Sequence, residues 1–233
     1  MAFDGVTVAA LVKEFNTTLK DGRIYKIAQT ESFKADKSQY RMLLSANASL
    51  PLIYFTNNNK PSPMTAPNFC MLLRKHINNG RIVSITQPGL ERIVDFEIQH
   101  LDELGDIKIK HLIIELMGKH SNIIFTDDNN MIIDSIKHIT SVRQVLPGKP
   151  YFIPDTMDKH NPMEATRESF METVFSNAMP VSKAIFTSYT GISPAIAESL
   201  CFENKLDSSM PANVLAHGDQ NLIWMSFYQL INR

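Results

Sequence analysis

Ile93-Val94-Asp95-Phe96-Glu97-Ile98 alternates apolar and charged side chains, with Val94, Phe96 and Ile98 on one side. A period of two puts one face on a core and the other toward polar surroundings, so the stretch predicts a strand of a half-buried sheet. Reading forward, Asp102 to Asp106 is a turn into a second strand, Ile107 to Met117. A hairpin follows, Asn122 to Thr126 and Met131 to Ile136, joined by the turn formers Asp127-Asp128-Asn129-Asn130. Reading backward, strands are expected over Arg81 to Gln87, Leu52 to Thr56, Arg41 to Leu44 and Arg23 to Gln29.

Two helices interrupt the strands. Val8, Leu11, Val12, Phe15 and Leu19 recur at helical spacing after Asp4, and Asp21-Gly22 is a stop. Pro67 suits a first turn, Phe69, Leu72, Leu73 and Ile77 form an apolar stripe, and Asn79-Gly80 ends it. Both helices run into Gly-Arg-Ile, at Gly22-Arg23-Ile24 and at Gly80-Arg81-Ile82. A duplicated unit explains that, and so does the ordinary use of Gly as a C-terminal cap before a strand starter.

Past Pro147-Gly148-Lys149-Pro150 and the polar segment Asp155 to Pro162, the chain turns helical. Helices are expected over Glu164 to Phe175, over Val181 to Tyr189 and in the stretch from Gln220 to Arg233. In Gly191-Ile192-Ser193-Pro194, Gly191 ends one helix, Ser193 caps the next and Pro194 fits its first turn. The expected architecture is α+β: a β-sandwich or barrel with helices at its margin over residues 1–154, then a helical region over 163–233. A helical pattern still running at Arg233 suggests a piece of a longer protein.

With 233 residues, 44% hydrophobic and 20% charged, the composition is that of a globular protein. No apolar run reaches the roughly 18 residues of a membrane span and the start lacks a secretory signal, so a cytoplasmic location is expected. Cys70 and Cys201 lack Cys-x-x-Cys spacing, and the seven histidines are scattered, so no metal, cofactor or disulfide framework is expected. A net charge of -1 argues against a coat of nucleic-acid-binding cations, although a local basic face can still hold phosphate. Asp102 and Glu103 sit in a turn, where solvated turn chemistry is simpler than acid-base catalysis.

Two stretches place polar side chains where packing does not ask for them: Gly89-Leu90-Glu91-Arg92-Ile93 and Met117-Gly118-Lys119-His120-Ser121-Asn122. Glu91-Arg92 is either a turn between strands or a guanidinium oriented by its carboxylate for phosphate or a base edge. Lys119, His120, Ser121 and Asn122 are RNA-binding candidates. Gly118-Lys119 is similar to a P-loop ending, but Ile113 stands where the first glycine belongs and a strand follows, which excludes ATP binding there. Arg74 and Lys75 could grip phosphate, or merely be cations favoured near a helix C-terminus. Asp4 is a ready helix N-cap.

At these residues the chain resembles the N-terminal part of the NFACT family. The resemblance is carried in order by Met1 to Gly5, Leu44 to Asn47, Phe69 to His76, Gly89 to Arg92, Met117 to Asn122, Asp134 to His138, Val145 to Gly148 and Thr190 to Pro194. It implies a β-sandwich similar to the N-terminal domain of formamidopyrimidine-type DNA glycosylases, followed by a helix-two-turn-helix region. It also implies ribosome-associated quality control: binding of large ribosomal subunits that hold peptidyl-tRNA, and recruitment of tRNA, in bacteria chiefly alanyl-tRNA, for untemplated C-terminal alanine tailing.

On this resemblance Asp4, Glu91 and Arg92 are the tRNA-binding residues, with Glu91 in place of the family's usual Asp and Lys119 where many members have Arg. The family implies no enzyme, because the ribosome makes the bond. Glycosylases begin with Pro then Glu, whereas this chain has Ala2-Phe3. The family's older label, fibronectin-binding protein, keeps a rival reading open: an adhesin for fibronectin or fibrinogen.

Overall fold

The computed structural model describes residues 3–28, 40–58, 65–141, 143–154 and 158–232, and the backbone of 32–35. Residues 155–157 of the expected linker, and Gln29 and Arg233 at the ends of two expected elements, lie outside them. The chain divides into two compact units. The first comprises Met1–Phe3, Ala10–Gln87 and Arg92–Pro154; the second comprises Asp4–Ala9, Pro88–Glu91 and Asp155–Arg233. A single cut after residue 154 would leave Asp4–Ala9 and Pro88–Glu91 in the first unit. Their contacts put both in the second.

The first unit holds two antiparallel sheets, four strands in the order β1-β2-β3-β4 and five in the order β5-β6-β7-β8-β9. The smaller sheet contains β1 (Lys26–Ala28), β2 (Ser32–Ala35), β3 (Tyr40–Ser45) and β4 (Leu52–Phe55). The larger contains β5 (Arg81–Thr86), β6 (Ile93–Leu101), β7 (Ile107–Glu115), β8 (Asn122–Asp127) and β9 (Ile132–Ser135). The antiparallel sheets and flanking helices make the α+β sandwich class that strand spacing predicts.

The alternation at Ile93 to Ile98 is borne out, with Val94, Phe96 and Ile98 buried at 4% exposure or less. Strand β6 runs further than the alternation does, because its ladder with β7 continues through Gln99–Ile109 and His100–Lys108 to Leu101–Ile107. Backbone pairing carries the strand on after the apolar rhythm stops.

Helix α1 (Gly5–Leu19) begins behind Asp4, and α2 (Asn68–Ile77) follows Pro67. Within the first unit Phe15 of α1 meets Phe55 edge-on, ring centroids 5.2 Å apart. Asn16 turns its amide onto the edge strand β5, donating to the Ile85 carbonyl and accepting from the Ile85 N–H at 3.0 Å. A side chain thereby completes backbone groups that an edge strand would leave unpaired. The twin Gly-Arg-Ile stretches lie against each other: Ile82 N–H donates to Gly22 O, Ile24 N–H donates to Gly80 O, and Arg23 bridges antiparallel to Arg81.

In the second unit, α3 (Arg167–Phe175), α4 (Val181–Ser188), α5 (Pro194–Glu203) and α6 (His217–Ile231) form the expected helical region. Thr166 caps α3 through a reciprocal box with Ser169, and Ser193 caps α5 by accepting from the Ile196 N–H, as its sequence predicts. Phe170, Tyr189 and Phe227 are at most 1% exposed and form the centre, with Phe170–Phe227 centroids 4.6 Å apart. Leu90 joins the same core at 5% exposure.

Candidate nucleic-acid interface

In the second unit three separate motifs converge on one backbone crossing. The Gly5 N–H donates to Gly191 O at 2.8 Å. A methyl group placed on Gly5 would sit 2.0 Å from the Leu90 carbonyl oxygen and 2.7 Å from Gly191 Cα. One placed on Gly191, whose φ is +76°, would also sit 2.0 Å from Leu90 O. Only hydrogen fits at either position, which is the physical reason for both glycines. Leu90, with its side chain in the helical core, is the peg of this crossing.

Asp4 and Glu91 flank the crossing. One Asp4 carboxylate oxygen accepts from the Thr7 N–H at 2.8 Å, capping α1, and the other accepts from Ser193 Oγ at 2.7 Å. The Ser193 hydroxyl oxygen itself accepts from the Ile196 N–H. Asp4 is thus the N-cap its sequence position predicts and also ties two helix starts together. Glu91 closes a turn, its N–H donating to Pro88 O at 3.0 Å, with Gly89 at φ +54°.

Arg92 begins the other unit's run of chain. Its carbonyl accepts from the Leu116 N–H at 2.8 Å, and the next residue, Ile93, pairs with Glu115. The half-buried guanidinium makes no hydrogen bond or ion pair among the described residues. The end of β7 that lies opposite leads into the short 3-10 turn Gly118–His120, where Lys119 and His120 are exposed. Arg92, Lys119 and His120 therefore belong to one end of the larger sheet.

Ser121 and Asn122 do not share that exposure; each is fully buried. Ser121 Oγ accepts from the Met117 N–H at 2.8 Å. The Asn122 amide accepts from the Lys137 N–H and donates to Lys137 O. Their expected place on an RNA-facing surface is corrected: they shape the loop that holds Lys119 and His120. Lys137, which has no site role in the sequence reading, is the clamp. Its ammonium donates to Ser121 O at 2.8 Å and to Ala46 O, which joins the Leu44–Asn47, Met117–Asn122 and Asp134–His138 motifs.

Arg74 and Lys75 stand elsewhere. Arg74 Nε donates to the Ile27 carbonyl at 2.8 Å, tying α2 to β1. Lys75 is exposed beside His76, whose basicity is lowered by burial first and then by Lys110, Lys75 and His100. His100 and Lys110 lie toward the opposite ends of β6 and β7 from Arg92, about 20 Å or more along the strands. One compact RNA surface from all these cations is not what the fold builds.

Two further charged clusters escaped sequence reasoning. Glu115 is fully buried and bidentate to Arg143, at 2.6 and 2.9 Å. Tyr151 donates to it at 3.1 Å, and burial pushes that phenol's pKa far up. His111 bonds Asp95 at 3.0 Å, and that hydrogen bond raises the imidazole's pKa. Among the described residues no His/Cys/Asp/Glu group is placed to hold a metal ion, and no helix is long and apolar enough to cross a membrane.

A family model described as the NFACT N-terminal and middle domains matches residues 4–233. The Rqc2 homolog RqcH of Bacillus subtilis is 38% identical over 209 residues, covering 85% of this chain and 37% of the relative. The mouse ribosome quality control complex subunit NEMF is 29% identical over 142 residues, 59% of this chain and 13% of that protein. The chain thus spans little more than a third of the bacterial relative's length. Among solved structures, the N-terminal part of the fibronectin/fibrinogen-binding protein of Streptococcus suis superposes with a TM-score of 0.83 at 29% identity, over 98% of this chain and 85% of that one.

Proposed function

The chain belongs to the NFACT family, and on that premise we propose that it is the N-terminal part of an RqcH-like factor of ribosome-associated quality control, acting in the cytoplasm. The full protein binds large ribosomal subunits that hold peptidyl-tRNA and recruits tRNA, chiefly alanyl-tRNA, for untemplated alanine tailing. It positions; the ribosome forms the bond. The observation that carries this reading is the 38% identity to the Bacillus subtilis RqcH across 85% of the chain.

Arg92 is proposed as the direct RNA contact, because a guanidinium uncommitted among the described residues can make several charge-assisted bonds to phosphate or a base edge. Lys119 and His120, at the same end of the sheet, add backbone contacts. Asp4 is proposed as a positioning residue: both its oxygens are engaged, and they hold the crossing next to Glu91.

The test is Arg92→Ala and Arg92→Lys in the full-length protein, with alanine tailing, tRNA copurification and thermal unfolding measured together. Loss of one such contact costs about 1 to 3 kcal/mol, so tRNA affinity falls roughly 5- to 150-fold with the fold intact. Lys rescues in part, keeping charge without the planar fork. Normal tailing by Arg92→Ala refutes the site.

A second reading, an adhesin for fibronectin or fibrinogen, is favoured by the likeness to the Streptococcus suis structure. Saturable binding of the full-length protein to immobilised fibronectin, lost on deleting residues 1–233, supports it.

A further inference from the structure

The β6–β7 hairpin ends in a turn that is both well built and strongly apolar. Leu101 and Ile107 close the ladder. Beyond them the Asp102 N–H donates to Asp106 O at 2.9 Å and the Gly105 N–H to Asp102 O at 3.0 Å. One Asp102 carboxylate oxygen accepts from both the Leu104 and the Asp106 N–H, each at 2.9 Å, and Lys108 approaches the other at 3.7 Å. These backbone bonds, Asp106 first, hold the Asp102 carboxyl below its ordinary pKa. Gly105 takes φ +85° to complete the turn.

This fixed loop displays Leu104 at 88% exposure, Leu101 at 67% and Ile107 at 63%. Asp102, Glu103 and Asp106 share the loop with them, Lys108 lies 3.7 Å from Asp102, and Lys75, His100 and Lys110 lie behind the tip, where they and Glu103 act together on His76. Three large aliphatics on one loop are not required by the fold, since none is buried. A preorganised apolar tip loses little conformational freedom on docking. Its acidic rim repels the phosphates of RNA and the head groups of anionic lipid, and attracts a cationic protein surface.

We propose that the Leu101–Ile107 tip docks into an apolar cleft rimmed by Lys or Arg on a basic protein of the large ribosomal subunit. This rests on the ribosomal reading above, and it assigns to the opposite end of the sheet from Arg92 a protein contact rather than an RNA contact.

The experiment uses the full-length protein and purified large subunits. A photo-reactive benzoylphenylalanine at position 104 is expected to cross-link to a basic subunit protein. Leu104→Ser, and separately Glu103→Lys with Asp106→Lys, are expected to weaken co-sedimentation about tenfold, as loss of a docking hot spot does, while thermal unfolding is unchanged. Cross-links confined to ribosomal RNA, or unaltered affinity of both variants, overturn the proposal alone. If the unaltered protein does not sediment with large subunits, the ribosomal reading falls and this partner falls with it.

Discussion

At the scale of single residues, two glycines and one buried ion pair set the geometry. Gly5→Ala or Gly191→Ala forces a methyl onto the Leu90 carbonyl at 2.0 Å, so the backbones must part. Such overpacking costs about 1 to 3 kcal/mol or more, and chemical denaturation should show each variant less stable by at least the lower figure. Arg143→Met strands the Glu115 carboxylate in a fully buried site. Breaking a buried pair costs about 3 to 5 kcal/mol, whereas the double change Glu115→Leu with Arg143→Met should recover much of it. A double-mutant cycle in thermal unfolding checks this, and additive losses would count against the pair. Neither effect was legible beforehand. Glu115 reads as one polar residue at a strand's end, and its partner lies 28 positions away. The Ser193-Pro194 cap was legible because a cap is made by neighbours three residues apart.

At the scale of elements, the sheet behaves as its alternation predicts where one face is buried and departs where pairing alone decides. The extension of β6 to Leu101 came from its ladder with β7, which residue types do not reveal. Strand β2 was not expected at all; Ser32-Phe33-Lys34-Ala35 is too short and mixed to announce itself, and pairing with β3 recruits it. The polar face of the larger sheet carries a pH response. The hydrogen bond from His111 to Asp95 raises the imidazole above its ordinary 6.5, despite the opposing effect of burial. Folding therefore gains from His111 fully below pH 6.5, and that gain disappears as pH rises through the elevated folded value. Unfolding free energy should fall over that window, and Asp95→Asn should flatten the fall. An unchanged slope in Asp95→Asn would assign the dependence to other groups.

At the scale of the whole molecule, the sequence showed which motifs are present and left open how folding would sort them. Asp4, Glu91 and the Gly191–Pro194 turn come together because Leu90 anchors in the helical core, while Lys119 and Arg92 share an end of the larger sheet. Arg74 and Lys75, equally basic on paper, are carried elsewhere by α2. The proposed separation of an RNA-contacting end from an acidic, apolar tip, in a chain of net charge -1, predicts salt-sensitive tRNA binding. The slope of log affinity against log salt should flatten in Arg92→Ala and Lys119→Ala, by about one unit for each lost phosphate contact. It should not change in Leu104→Ser. The most direct measurement is the RNA that copurifies with the full-length protein from cells, sequenced beside that of its Arg92→Ala variant. Enrichment of large-subunit RNA with one tRNA species, the tRNA lost and the ribosomal RNA kept in the variant, is the predicted result. Recovery of neither RNA by the unaltered protein, or equal tRNA recovery by both, would contradict it.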